Sequence, residues 1–167
     1  MSSIACVFPG QGSQHPEMLQ TDLVDQSLVN DKIEIVSEIL SYDVHSILED
    51  ESKLNSTSFT QPLLVLSSAI FSEAYKNLSL SDPKVIAGHS LGEYSALMFA
   101  DSITFEDAIK ITHLRGKLMQ SSEEGKMMAI LGLDSKIIDE VCSKITQSNE
   151  KAYVALSLIH ISEPTRH

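Results

Sequence analysis

The sequence predicts an α/β protein in which helices cover a parallel sheet. Two short apolar runs, Ile4–Phe8 and Lys84–Ala87, are predicted strands, and each ends directly at turn residues. Stretches with helical spacing separate the two runs and continue after the second. The first run contains no polar residue, which is typical of a strand buried on both faces of a parallel sheet.

The segment between the two strands has the spacing of helices. With gaps, this spacing extends from about Met18 to Leu28 and from Asp31 to Leu40. Gln61–Leu78 is apolar almost all round, which predicts a helix packed on several sides. Pro62 would stand in its first turn with Thr60 as the capping residue, because proline is tolerated there.

The segment after the second strand alternates between helical and extended patterns. It predicts helices over Glu93–Ala100, Phe105 to about Ser122 (ended by Gly125) and Asp134–Thr146, and strands over Met127–Leu133 and Ala152–Ala155.

The charge and the cysteine content of the sequence argue against several functions. The 167 residues include 23 Asp and Glu against 12 Lys and Arg, a formal net charge of -11, which disfavours binding to nucleic acid or to an anionic membrane. Cys6 and Cys142 have no metal-ligand spacing and suggest no disulfide framework, so no metal is expected. No targeting signal or membrane span is evident, and we predict a soluble, cytoplasmic protein.

A candidate nucleophile, Ser90, lies between a predicted strand and a predicted helix. Gly88 and Gly92 flank it in a GxSxG pattern, and these small residues let the backbone turn sharply. The following helix would direct N–H groups, first that of Leu91, toward an oxyanion at the serine. His89 should point away from Ser90 and is not expected to be its base. The alternative is a tight turn with an incidental serine.

Arg115 is the most informative charged residue. On a helical projection of Phe105–Ser122 it falls within an apolar arc, and a buried guanidinium needs an anionic partner. That partner is either an internal carboxylate or the carboxylate of a substrate, held by two parallel hydrogen bonds. The projection places Ala108, Ile111, Leu118 and Met119 on the apolar arc, and Lys110, His113, Lys117 and Gln120 on the opposite polar face.

Four segments resemble, in order, the motifs of malonyl-CoA:acyl carrier protein transacylases. Val7–Gln14 is similar to their opening motif and Thr60–Leu64 to their second glutamine motif. Gly88–Leu97 resembles their nucleophile elbow and Arg115–Gln120 their arginine helix. The resemblance extends from Ser3 to about Ala155.

The resemblance implies roles for five residues. Ser90 would accept the malonyl group as an ester, and the N–H groups of Gln11 and Leu91 would form the oxyanion hole. Arg115 would bind the malonyl carboxylate, and Gln61 would line the pocket. Malonyl-CoA would be the substrate and acyl carrier protein the partner, and no cofactor would be needed. The resemblance also implies that the full-length protein is a monomer.

The resemblance also implies an α/β-hydrolase-like core at residues 1–125 and the start of a small ferredoxin-like subdomain at 126–156. The tail at 157–167 does not resemble the family and looks like a frameshift or a translated adapter. The chain is therefore expected to be truncated.

The family's general base is a histidine well downstream of the nucleophile. After Ser90 this sequence has only His113, His160 and His167, and none lies in a matching motif. The general base is therefore predicted to be absent from this chain. Because loss of the base removes most of the rate, the chain as given should be poorly stable and nearly inactive.

Three other interpretations remain open at the sequence level. An acyltransferase domain of polyketide synthesis would share all four motifs, although the short N-terminus favours a discrete enzyme. An α/β serine esterase or thioesterase would share GxSxG but would not need Arg115. A noncatalytic half that binds acyl carrier protein would need a basic patch, for which Lys110, Lys117 and Lys126 are candidates.

Overall fold

The computed structural model describes residues 4–78, 81–122, 128, 130–146 and 151–154. The chain divides into two compact units, Met1–Glu123 and Glu124–His167. In order, the elements of the first unit are β1 (Ala5–Phe8), α1 (Gln26–Leu40), α2 (Val44–Leu48), α3 (Glu51–Leu54), α4 (Thr57–Asn77), β2 (Val85–Gly88), α5 (Gly92–Phe99) and α6 (Phe105–Gln120); the second unit contains α7 (Ser135–Thr146).

The two strands pair in parallel, so the α/β class with a parallel sheet is confirmed. Ala5 lies opposite Val85, and the register continues to Phe8 opposite Gly88. Parallel pairing brings the carboxyl ends of both strands to one edge, where the His89 N–H donates to the Phe8 carbonyl at 3.1 Å. The loop after β1 and the serine turn after β2 therefore meet at this edge.

The prediction that the first strand is buried on both faces is wrong for this structure. Val7 is 73% exposed and Val85 on the partner strand is 57% exposed. In the described part of the chain, α5 is the only helix with extensive contacts to either strand, so one face of the pair stays open. An apolar run indicates that a strand tends to be buried, but it does not determine which elements cover the strand.

Helix α4 forms the centre of the hydrophobic core. Its side chains Leu63, Leu66 and Ile70 are fully buried, and the helix packs against α1, α5 and, most extensively, α6. Burial all round the helix explains its lack of a polar face, as the sequence predicted.

Helix α1 begins later than predicted and has no break. Met18 and Leu19 are buried, but they lie in turns. The helix starts after Asp25, whose carboxylate accepts from the Ser27 N–H at 2.8 Å and so caps it. Hydrogen bonds from Ser27 hold the pKa of Asp25 below its ordinary value. The cap fixes the start, which the apolar spacing alone placed too early.

Helix α4 begins earlier than predicted, at Thr57 after the capping position Ser56. Thr60 is therefore not the cap: it is buried inside the helix and donates to the Leu54 carbonyl. Pro62 likewise lies beyond the first turn. It has no N–H for the Ser58 carbonyl four residues earlier, and that carbonyl instead bonds His113 Nδ1 at 2.8 Å.

In the second unit, helix α7 is the only predicted element that the described residues show. Of the predicted strand Met127–Leu133, residues 128 and 130–133 are described, and they do not form a strand. Of the predicted strand Ala152–Ala155, residues 152–154 are described, and they do not form a strand either. Positions 127, 129 and 155 lie outside the described residues, as do Gly125 and the tail at 157–167. The ferredoxin-like assignment of 126–156 stays a prediction.

The described ranges contain no group of three or more His, Cys, Asp or Glu side chains placed to hold a metal ion. None of the helices found there combines the length and apolar character needed to span a membrane.

Candidate active site

The serine turn is a sharp bend between β2 and α5. Ser90 has a φ of 56°, in the left-handed region that a residue with a Cβ rarely adopts. A Cβ at Gly88 would lie 2.1 Å from the Gly92 backbone, and one at Gly92 would lie 2.3 Å from the Phe8 carbonyl oxygen. Only glycine fits at both positions, which explains the GxSxG spacing and leaves Ser90 exposed at the sheet edge.

The first N–H groups of α5 surround this serine. Leu91 is only 1% exposed, and in the described structure no acceptor takes up its N–H group. The next N–H groups are used within the turn, since Gly92 donates to the His89 carbonyl and Glu93 to the Ser90 carbonyl. An anion at the serine would therefore find a donor at Leu91 and the positive end of the α5 dipole.

The loop after β1 is held in place by its own polar side chains. The Gly12 N–H donates to Gln14 Oε1 at 2.8 Å, and Gln14 Nε2 donates to Asn55 Oδ1 at 2.9 Å. Gln11 Nε2 donates to Thr57 Oγ1 at 3.3 Å, so the Gln11 side chain points to the start of α4. Among the described hydrogen bonds, none uses the Gln11 backbone N–H.

Helix α6 presents a different face to the core than its apolar residues indicate. Its buried residues are Ala108, Ile109, Thr112 and Gly116. Of the predicted apolar arc, Ala108 is buried as expected, but Ile111, Leu118 and Met119 are 41%, 62% and 45% exposed, so the prediction is wrong for these three. The reason is Gly116, where a Cβ would lie 2.5 Å from the Thr57 carbonyl oxygen. The two helices touch through backbone at this point, and the small residues therefore face α4.

The predicted polar face of α6 is also partly wrong, because two of its four residues contact the start of α4. His113 stacks on Phe59 and bonds the Ser58 carbonyl, while Gln120 Oε1 accepts from Ser56 Oγ at 2.9 Å. These two polar side chains bind the first turn of α4 and flank the buried face. Lys110 and Lys117 are exposed.

Arg115 lies at the other edge of the buried face and reaches Ser90. Its Nη1 donates to Gln61 Oε1 at 2.7 Å, and its Nη2 donates to Ser90 Oγ at 3.2 Å. In the described part of the chain Arg115 forms no ion pair with a carboxylate. The structure therefore joins three of the predicted site residues and shows no internal acid that would neutralise the arginine.

Gln61 is fully buried, and both ends of its amide are used. Besides accepting from Arg115, it donates from Nε2 to Met119 Sδ at 3.3 Å. The sequence marked Gln61 as a pocket residue but placed Met119 only among apolar positions. The sequence did contain a signal for Met119, since it lies four residues after Arg115 and this spacing places both side chains on one side of a helix.

No histidine of the described residues hydrogen-bonds Ser90 Oγ. His113 Nδ1 is engaged by the Ser58 carbonyl, and the His89 ring lies beside Gly10. His160 and His167 lie outside the described residues. A cavity of about 380 Å³, lined by residues such as Val7, Met18 and Phe71, does not include Ser90 in its lining.

The arrangement suits chemistry at an acyl group that carries a second, anionic end. A hydroxyl projects from a strained turn, and next to it lies an N–H group that no described acceptor uses. A guanidinium that has no anionic partner among the described residues is within hydrogen-bond distance. A negative charge near the hydroxyl would complete the coordination of the arginine.

Comparison with known proteins gives consistent matches. Residues 5–163 match the model of the acyl transferase domain. Over 155 residues the chain is 38% identical to a malonyl CoA-acyl carrier protein transacylase of Staphylococcus aureus, covering 90% of this chain and 49% of the relative. The chain thus spans about half the length of the curated relatives it matches.

Solved structures give the same result. An acyl carrier protein S-malonyltransferase from Vibrio cholerae is 43% identical with a TM-score of 0.78, covering 87% of this chain and 49% of that one. A type II PKS (polyketide synthase) acyl-carrier protein in complex with its malonyl-transacylase matches with 39% identity and a TM-score of 0.77. That match covers 88% of this chain and 49% of the other.

Proposed function

Because this chain belongs to the family of acyl transferase domains, we propose that it carries the nucleophile and the carboxylate-binding residues of a malonyl-CoA:acyl carrier protein transacylase. The observation that supports this most directly is Arg115, which bridges Gln61 and Ser90 without an ion-pair partner among the described residues. The names of the matched relatives and solved structures support the same activity.

The first half-reaction would load the serine. Ser90 Oγ attacks the thioester carbonyl of malonyl-CoA, and the N–H groups of Leu91 and Gln11 stabilise the oxyanion that forms. The C–S bond then breaks, CoA leaves as a thiol, and a malonyl ester remains on Ser90. The serine proton passes to the leaving sulfur through a general base, which the described residues do not supply at Ser90.

The second half-reaction would reverse these roles. The phosphopantetheine thiol of acyl carrier protein attacks the ester carbonyl, its proton returns to Ser90 Oγ, and the malonyl thioester leaves on the carrier. The solved complex of a malonyl-transacylase with its acyl-carrier protein supports this class of partner. The CoA thioester is a substrate, so the proposal requires no resident cofactor, and we place the reaction in the cytoplasm.

Arg115 would select the acyl group. The malonyl carboxylate is close to the thioester carbonyl, and two guanidinium nitrogens pointing toward Ser90 and Gln61 can bind it with two hydrogen bonds. Acetyl-CoA would leave the guanidinium without an anion. A site whose charged group stays unpaired discriminates against the shorter substrate.

The same complex supports a second candidate, an acyltransferase of polyketide synthesis, because its carrier protein is of the type II PKS class. The loading chemistry at Ser90 is identical in the two cases. Transfer to a fatty acid carrier compared with a polyketide carrier separates them. An esterase or thioesterase would instead hydrolyse malonyl-CoA to malonate, and adding a carrier protein would not change the rate of this hydrolysis.

The test compares binding and acylation. We expect malonyl-CoA to bind the chain more tightly than acetyl-CoA in calorimetry, and Arg115→Ala to reduce this preference by about 10- to 100-fold, since a hydrogen-bonded charge is lost. Lys117→Ala, one exposed cation removed from the same helix, is the control. Long incubation with malonyl-CoA should add one malonyl group at Ser90, seen by peptide mass spectrometry. Equal binding of both thioesters, or acylation elsewhere, would contradict the proposal.

A further inference from the structure

Two neighbouring side chains, Arg115 and Met119, determine the orientation of the Gln61 amide. Gln61 is fully buried, and a buried amide is stable only when its oxygen and its nitrogen both have suitable partners. The Arg115 guanidinium contains only donors, so the end that faces it must be the oxygen. The Met119 thioether is an acceptor, so the end that faces it must be the NH₂ group.

Rotating the amide by half a turn would lose both contacts. The NH₂ group would face the guanidinium donors, and the oxygen would face the sulfur lone pairs. The sulfur at 3.3 Å is a weak acceptor, but it makes the two orientations unequal. Without it, the Gln61 Nε2 group would be a buried donor with no described partner.

We propose that Met119 is a positioning residue, which orients Gln61 through its sulfur and thereby holds Arg115 for carboxylate recognition. This inference rests on the proposed function for its substrate. Met119 and Arg115 lie four residues apart on α6, so the sulfur and the guanidinium approach the same glutamine from one helix. Gln61 fixes Nη1, and Nη2 then lies 3.2 Å from Ser90 Oγ.

The consequence concerns selectivity more than stability. Met119 is 45% exposed, so its substitution by a residue of similar volume removes little buried surface. A loosened Gln61 amide would leave Arg115 free to sample other orientations. The bound carboxylate then has to order the guanidinium itself, which lowers its affinity.

The main test uses Met119→Leu, which keeps the volume and removes the acceptor. We expect its preference for malonyl-CoA over acetyl-CoA, measured by calorimetry, to fall by about 3- to 10-fold, as for the loss of one hydrogen bond. Met119→Gln, which restores an acceptor at similar length, should recover the preference. Met98→Leu is the matched control, because Met98 packs against the core and makes no described hydrogen bond through its sulfur.

A second measurement needs no substrate. In ¹H–¹⁵N spectra of the chain, the Gln61 side-chain NH₂ signal, assigned by its loss in Gln61→Leu, should shift and exchange faster in Met119→Leu. It should remain unchanged in Met98→Leu. An unchanged Gln61 signal in Met119→Leu would overturn the proposed orientation by the sulfur.

The two measurements separate the two hypotheses. If the unsubstituted chain prefers malonyl-CoA and Met119→Leu keeps that preference, the role of Met119 is wrong and the proposed function stands. If the unsubstituted chain shows no preference, the proposed function fails, and the role of Met119 in recognising a carboxylate fails with it. The NMR signal then shows only whether the sulfur orients the amide.

Discussion

Replacing Gly116 by alanine should separate α6 from α4 and disturb the site through that movement. The added Cβ would lie 2.5 Å from the Thr57 carbonyl oxygen and 2.7 Å from Ser58 Cα. Both neighbours are backbone atoms and cannot rotate away. To reach the 3.4 Å at which ordinary contact begins, the helices must move apart by about 0.9 Å.

The expected cost in stability is modest. Overpacking of this kind costs about 1–3 kcal/mol, and the better helix propensity of alanine returns about 1 kcal/mol. The free energy of unfolding should therefore fall by at most about 2 kcal/mol, measured by urea denaturation. The control is Lys117→Ala at the adjacent exposed position, which gains the alanine without the clash and should change stability very little.

The site should be disturbed together with the loss of stability. Gln61 lies on α4 and Arg115 on α6, so a movement of about 0.9 Å between these helices lengthens their 2.7 Å hydrogen bond beyond the usual range. We expect the preference of Gly116→Ala for malonyl-CoA over acetyl-CoA to fall by about 10-fold, as when a charged hydrogen bond is lost. A variant with unchanged stability and unchanged preference would refute this account of the helix crossing.

Two further predictions concern stability. Ser95 is fully buried and its hydroxyl has no hydrogen-bond partner in the described structure, so Ser95→Ala should leave the urea midpoint unchanged or raise it; a clear decrease would reveal a partner. Hydrogen bonds from Ser52 and Lys53 lower the pKa of Asp50, the cap of α3, to about 2. Because the folded-state pKa is below the unfolded value of 3.8, the stabilisation by Asp50 is present above pH 3.8 and is lost as the pH falls toward 2. An NMR titration of its carboxyl with a midpoint near 3.8 would contradict this.

Patterns confined to one turn of chain were predicted well. The GxSxG turn requires small residues because a Cβ at Gly88 would lie 2.1 Å from the Gly92 backbone and one at Gly92 would lie 2.3 Å from the Phe8 carbonyl oxygen. This demand is visible in the sequence. The parallel pairing of the two apolar runs also followed from their spacing and from the intervening helical stretch. By contrast, the helix starts at Gln26 and Thr57 depended on capping residues that apolar spacing does not reveal.

The orientation of α6 shows where the sequence is insufficient. The helical projection placed Ala108, Ile111, Leu118 and Met119 on one apolar arc. The structure buries Ala108 but leaves the other three exposed, and it buries Ile109, Thr112 and Gly116 in their place. Close approach of two backbones favours small residues over apolar ones, and only the position of α4 reveals that requirement. The projection placed Arg115 within the apolar arc, whereas the structure places it at the edge of the buried face, where it contacts Gln61 and Ser90.

The sequence by itself determined the strained serine turn, the parallel strand pair and the presence of a cation in need of an anion. The turn and the cation are local properties, decided by steric demands and by the cost of burying charge, and the parallel pairing follows from the helical stretch between the two apolar runs. The tertiary structure alone decided that Arg115 donates to both Ser90 and Gln61, and that Gln61 in turn donates to the Met119 sulfur. Those contacts join residues 25 to 58 positions apart, and their geometry depends on how closely α4 and α6 approach at Gly116.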